Sequence, residues 1–286
     1  MIIKQSFTLW FNFIIRFGVV NLPYYSTLAI KVFIGRLPSD LFSCPLSYNS
    51  FNNKTSTDDY KEDKDMRKDL TEVVFILDRS GSMEGLEADT IGGFNSMIEK
   101  QRNEDGEAYV TTVLFDNEIE MVHDRVAINN IEPMTDETYY VRGCTALLDA
   151  MGGAIDYISK AHRYAREDDR PEKTIFIITT DGLENASSKY SYDMVKKMVE
   201  HEKSKHGWEF IFLGANIDAI DVASKCGIGA DRAINFKSDS TGTALNYQAM
   251  TDIISAFRSS KCKGDIDSAI DMFSAPIKNY RKHHKK

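Results

Sequence analysis

Apolar positions along this chain follow two rhythms. Val73-Val74-Phe75-Ile76-Leu77, Thr174 to Thr180 and Phe210-Ile211-Phe212-Leu213 are almost unbroken apolar runs. Runs of that kind predict strands buried on both faces, as in parallel sheets. Val110 to Phe115 reads as a further strand. Ile119-Glu120-Met121-Val122 alternates instead, which predicts an antiparallel edge strand with one solvated face, entered through a two-residue turn at Asp116-Asn117. Ala233 to Phe236 is a last, short candidate.

Helical spacing fills the intervals. Ile91, Phe94 and Ile98 recur on one face, and Glu104-Asp105-Gly106 ends that segment. Leu147, Leu148, Met151, Ala154, Ile155, Ile158 and Ala161 make the clearest stripe of the chain. Met194, Val195, Met198 and Val199 mark another helix, and Asp218 to Ser224 a short one with Asp218 as N-cap and Gly227 as its stop. Leu245 to Phe257 and Ile266 to Phe273 predict two more. Strands alternating with helices imply βαβ units. The expected class is α/β, a mostly parallel sheet with helices on both faces.

Residues 1–65 differ from the rest. Residues 7–35 are rich in aromatic and aliphatic side chains, but Asn12, Arg16, Asn21 and Pro23 interrupt them. About 18 uninterrupted apolar residues would be needed for a membrane span, and no such window exists. Residues 46–65 have linker composition. We expect a poorly ordered N-terminal extension over residues 1–65, the alternatives being a signal peptide or membrane anchor and a small domain. One domain should follow over residues 66–280, then a solvated basic tail over residues 281–286.

Composition narrows the function. The chain has 286 residues and a formal net charge of -8, which argues against general nucleic-acid binding. Cys44, Cys144, Cys226 and Cys262 form no Cys-x-x-Cys pair, so a zinc ribbon or redox couple is not expected. Gly-x-Ser-x-Gly, His-Glu-x-x-His and phosphate-cradling glycine loops are absent, and no histidine falls in the loops discussed next.

Candidate chemistry sits after the buried runs. Asp78-Arg79-Ser80-Gly81-Ser82 follows the first of them, Thr145 opens the long helix, and Asp181-Gly182 follows the second. The carboxyl ends of parallel strands are where such folds bind ligands. In an extended loop residues two apart point the same way, so Asp78, Ser80 and Ser82 can converge on one ion. Hydroxyl oxygens are neutral ligands: if Ser80, Ser82 and Thr145 bind directly while Asp78 and Asp181 act mostly through water, the cation keeps much of its charge. Magnesium suits such a set and leaves a position open for an incoming carboxylate. Asp-x-Ser-x-Ser alone is a weak signal, and Thr145 could equally be a plain N-cap. Glu184 and Asn185 read more readily as first-turn polar residues favoured by a helix dipole than as groups orienting Asp181.

These residues resemble the metal ion-dependent adhesion site of von Willebrand factor A domains: Asp-x-Ser-x-Ser at Asp78, Ser80 and Ser82, a distant Thr at Thr145 and a distant Asp at Asp181. The likeness covers about residues 70–260, and all five positions match. It implies a Rossmann-like doubly wound sheet with one antiparallel edge strand. It also implies a bound divalent cation, Mg2+ or Mn2+, completed by a Glu or Asp from a partner protein. Leu77 to Met83 and Thr180 to Asn185 look most like intracellular bacterial members of the family. The expected function is therefore a cytoplasmic, metal-dependent protein-interaction module and not an enzyme. A metal-dependent hydrolase and a membrane-anchored adhesin are the alternatives. Asp78→Ala and Thr145→Ala are expected to weaken binding while sparing the fold, as residues of surface loops.

Overall fold

The computed structural model describes residues 67–284. The expectations for residues 1–65 lie outside the described residues.

Among the described residues one sheet has the strand order β3-β2-β1-β4-β5-β6. Its strands are β1 (Arg67–Asp78), β2 (Glu107–Phe115), β3 (Ile119–Ala127), β4 (Pro171–Thr180), β5 (Glu209–Gly214) and β6 (Ala233–Asn235). All neighbours pair in parallel except β2 and β3. The helices are α1 (Glu87–Arg102), α2 (Leu147–Tyr164), α3 (Tyr192–His206), α4 (Ala219–Lys225), α5 (Ser240–Ser259) and α6 (Lys263–His283). This is the doubly wound α/β architecture expected, with β3 as its single antiparallel, half-solvated edge.

Alternation along the strands divides the core in two. Val73, Phe75 and Leu77 of β1 pack with Ile175 and Ile177 of β4 against Phe94 of α1 and Met250 and Ile254 of α5. Val74 and Ile76 join Phe176 and Ile178 on the other face, against Leu148, Met151 and Ile155 of α2 and Val195 and Val199 of α3. β1 and β4 are thus buried on both faces, which is why their sequences show no alternation.

Two boundaries differ from the sequence expectation. The β2–β3 connection is Asp116-Asn117-Glu118, three residues and not two. Asp116 and Glu118 close it, Asp116 N–H donating to the Glu118 carbonyl at 3.0 Å and Glu118 N–H to Asp116 Oδ1 at 2.6 Å. At the other end Arg281, Lys282 and His283 form the last turn of α6, so residue 280 falls inside a helix. Basic side chains suit that position because they face the negative end of the helix dipole.

The sheet positions the site. From β1 the chain moves outward to β2, whereas β4 lies on the other side of β1 and leads outward to β5. The strand order therefore reverses between β1 and β4, and ligands bind outside the carboxyl ends of such a pair. Asp78 ends β1 and Thr180 ends β4.

Candidate metal centre

Three hydroxyls meet at this crevice. Ser80 Oγ lies 3.0 Å from Ser82 Oγ and 3.1 Å from Thr145 Oγ1. Ser80 and Thr145 are buried, whereas Ser82 is exposed, so the cluster opens to solvent on one side. Ser82 does not arrive along an extended loop as expected: Gly81–Met83 is a 3-10 turn, anchored by Gly81 N–H donating to the Gly143 carbonyl at 3.2 Å.

Asp78 is the last residue of β1 and is buried. Its Oδ1 accepts from Ser80 N–H at 2.7 Å. Its Oδ2 accepts from the Thr180 hydroxyl at 2.6 Å and from Asp181 N–H at 3.3 Å. Asp181 is also buried; its Oδ1 accepts from Asn216 Nδ2 at 2.5 Å and its Oδ2 from the Ser238 hydroxyl. Burial pushes both carboxyls above their ordinary range, and the nearby charge of Asp78 adds to the effect at Asp181. None of the ion pairs among the described residues involves either acid. Two desolvated acids are held by neutral donors alone.

Thr145 reaches the cluster by a route different from the N-cap role considered for it. The N-cap of α2 is Ala146, and no side chain caps from that position. The first turn is capped from the 184–187 segment, where Leu148 N–H donates to Glu184 Oε2 at 2.9 Å and Asp149 N–H to Ser187 Oγ at 3.0 Å. Asn185 Oδ1 takes Thr145 N–H at 2.9 Å. Glu184 and Asn185 are thus not in a helix first turn of their own, since α3 begins only at Tyr192. They tie the Asp181 loop to the start of α2.

The structure corrects one more expectation. Asp78 and Thr145 are buried, Asp78 within a strand, and so are not residues of free surface loops. Removing the Asp78 carboxylate would leave Ser80 N–H, the Thr180 hydroxyl and Asp181 N–H without their acceptor, and such losses destabilise a fold.

Sequence reading missed Asn216 and Ser238. They follow β5 and β6 as Asp78 and Asp181 end or follow β1 and β4, so position after a strand end was their only signal. Asn216 carries a positive φ of 52°, a conformation Asn tolerates better than most residues.

The donor set fits a hard divalent cation. Oxygens in adjacent positions of an octahedron with bonds of 2.0–2.1 Å lie about 2.8–3.0 Å apart, close to the hydroxyl separations here. A β-carbon placed on Gly182 would stand 2.9 Å from Thr145 Oγ1 and 3.2 Å from Ser82 Oγ, so the glycine keeps the approach to the hydroxyls clear. Among the described residues there is no cluster of three or more His, Cys, Asp or Glu arranged to hold a metal.

No protein-family model matches the chain, and no curated protein does. Among solved structures it is similar to proximal thread matrix protein 1 of the mussel byssus with a zinc-occupied MIDAS motif, at 13% identity over 66% of this chain and 47% of that one, TM-score 0.47. It is similar to a von Willebrand factor type A protein from Catenulispora acidiphila at 14% identity, over 66% of this chain and 43% of that one, TM-score 0.45. Manganese-loaded TRAP from Plasmodium vivax is similar at 14% identity, over 62% of this chain and 71% of that one, TM-score 0.45. The chain spans less than half the length of the first two. At these identities the likeness concerns the fold alone.

Proposed function

We propose that this chain is a metal-dependent protein-interaction module. A divalent cation, Mg2+ or Mn2+, is held by Ser80, Ser82 and Thr145, with Asp78 and Asp181 behind it. A Glu or Asp of a partner protein completes its coordination from the solvent side. The observation that carries this reading is the pair of buried carboxylates bonded only to neutral donors beneath three converging hydroxyls. A cation offsets the cost of burying those charges. Neutral hydroxyl ligands leave it enough charge to attract an external carboxylate.

Binding is proposed in preference to catalysis. His123 stacks on Phe94, His162 bonds Glu72, and His201 and His206 lie in the second half of α3, all away from the hydroxyl cluster. No helix among the described residues is long and apolar enough to cross a membrane. A cytoplasmic location belongs to the same proposal, and cell fractionation tests it.

Affinity capture with the full chain, in magnesium and in chelator, tests the interaction. Partner proteins should be retained only with metal and lost in Ser82→Ala, an exposed position whose substitution spares the packed interior. Capture that persists unchanged in chelator would refute the module. Magnesium-dependent turnover of phosphoesters or peptides, abolished by Ser82→Ala, would favour the hydrolase instead.

A further inference from the structure

We propose that the buried ion pair of Arg79 and Asp116 positions Thr145 for the cation, an inference that rests on the metal-binding reading above. Arg79 stands between two site residues, Asp78 and Ser80, but its side chain runs the other way. It is fully buried, and its Nε donates to Asp116 Oδ2 at 2.9 Å while Nη1 donates to Glu120 Oε2 at 2.7 Å. Arg142 Nε donates to the same Asp116 Oδ2 at 2.8 Å. The Tyr140 ring covers both guanidiniums, at 5.3 Å from Arg79 and 5.4 Å from Arg142.

The backbones of the pair hold the segment that carries Thr145. Arg142 N–H donates to the Arg79 carbonyl at 2.9 Å, and Ala146 N–H to the Asp116 carbonyl at 2.8 Å. Arg79 N–H donates to the Phe115 carbonyl at 2.9 Å, which fixes Arg79 to the end of β2. Between the two anchors, Gly143 adopts φ 69°, and a β-carbon there would fall 2.0 Å from Asn117 Oδ1. The positive φ favours glycine there, and any β-carbon would force the Asn117 side chain to move. Thr145 is therefore bracketed on both sides by contacts to Arg79 and Asp116. Its hydroxyl is left 3.1 Å from Ser80 Oγ.

An ion pair this deep is weak as a source of stability, since apolar residues of similar volume serve as well. What the pair supplies is geometry. The fork of Arg79 and the single carboxylate of Asp116 lock the Asp78–Ser82 loop, the β2–β3 turn and the Thr145 segment into one register. Neither residue touches the cation.

A double-mutant cycle on the full chain tests this. Mn2+ affinity is read by electron paramagnetic resonance and the number of waters on the bound ion by water-proton relaxation, for wild type, Asp116→Asn, Thr145→Ala and the double variant. Asp116→Asn should weaken Mn2+ binding by roughly ten- to a hundredfold, the usual cost of losing a group that orients a ligand. It should also add a water to the bound ion, as Thr145→Ala does. In the Thr145→Ala background the same substitution should change affinity by less than about twofold, the error of additivity. Arg142→Gln, at a half-exposed side chain whose loss leaves the fold in place, should act in the same direction with a smaller effect that also vanishes with Thr145 removed. Equal costs in both backgrounds, or wild-type affinity in Asp116→Asn and Arg142→Gln, would overturn the positioning role alone. A wild-type chain that binds no manganese would overturn the metal reading and this inference with it.

Discussion

Asp78 and Asp116 sit at the ends of adjacent strands, with Asp78 opposite Phe115 in the β1–β2 register, and both are buried. The fold treats them in opposite ways. Burial raises the carboxyl of Asp116, but hydrogen bonds from Arg142, Glu118 N–H and Arg79 outweigh it and hold the group below the ordinary carboxylate range. Asp78 receives neutral donors only, and burial prevails. Glu72, earlier in β1, is also ion-paired within the chain: Arg125 Nε lies 2.9 Å from it and His162 Nε2 3.3 Å. Asp116 and Glu72 are provided with a cation from the chain itself, whereas buried Asp149 is held by the backbone N–H groups of Ser188, Lys189 and Tyr190. At the carboxyl ends of β1 and β4 the chain provides hydroxyls instead. On the proposed metal reading, the difference separates charge that closes the fold from charge that is held for an outside ion.

Substituting the two acids should break the comparison most sharply. Asp116→Ala leaves the buried guanidinium of Arg79 without its inner partner, and should lower unfolding free energy by about 3–5 kcal/mol, measured by urea denaturation without metal. Asp78→Asn removes a charge that the fold does not neutralise. In metal-free buffer it should cost less than about 1.5 kcal/mol, the usual value of one hydrogen bond. Mn2+ binding should nevertheless be lost. Equal destabilisation by the two variants would contradict the distinction.

Metal loading should stabilise the wild type next. At a concentration of about 100 times Kd a ligand specific for the folded state adds about 2.7 kcal/mol. For a domain of this size that is a rise in Tm of about 5–10 °C. Calorimetry with and without Mg2+ or Mn2+ reads it, and Asp78→Asn should show no shift.

The pH dependence sharpens the contrast further. Asp78 and Asp181 have folded pKa values raised above 3.8, so as pH falls they take up protons sooner than ordinary carboxylates and compete with the cation. Metal affinity should therefore decline on acidification from a pH above 3.8. Asp116 contributes the reverse pattern to the fold: its stabilisation is present above 3.8 and lost as pH falls through its lowered value. Mn2+ titrations and metal-free melts over the same pH series should separate the two. A metal affinity flat down to pH 3.8 would argue against Asp78 and Asp181 at the centre.

Gly182→Ala should have the smallest effect on the fold. Its added carbon meets Thr145 Oγ1 and Ser82 Oγ, not backbone, so stability should change by under about 1 kcal/mol. Mn2+ affinity should fall by roughly tenfold, as expected when a metal-site neighbour is disturbed.

The order of strands and helices was legible from the chain because burial on both faces of β1 and β4 suppresses alternation, and the stripe on α2 is unbroken. The placement of Asp78, Ser80, Ser82, Thr145 and Asp181 at strand ends and before a helix was legible too, since periodicity reveals those elements. The supporting groups were not. Asn216 and Ser238 reach Asp181 across 35 and 57 residues, and Arg79 reaches Asp116 across 37. No local period encodes those separations. Whether a buried acid meets a guanidinium or a hydroxyl depends on which strand ends become neighbours. Sequence pattern thus determined the elements and the kinds of oxygen at their ends. Tertiary packing alone decided which charges the protein neutralises itself.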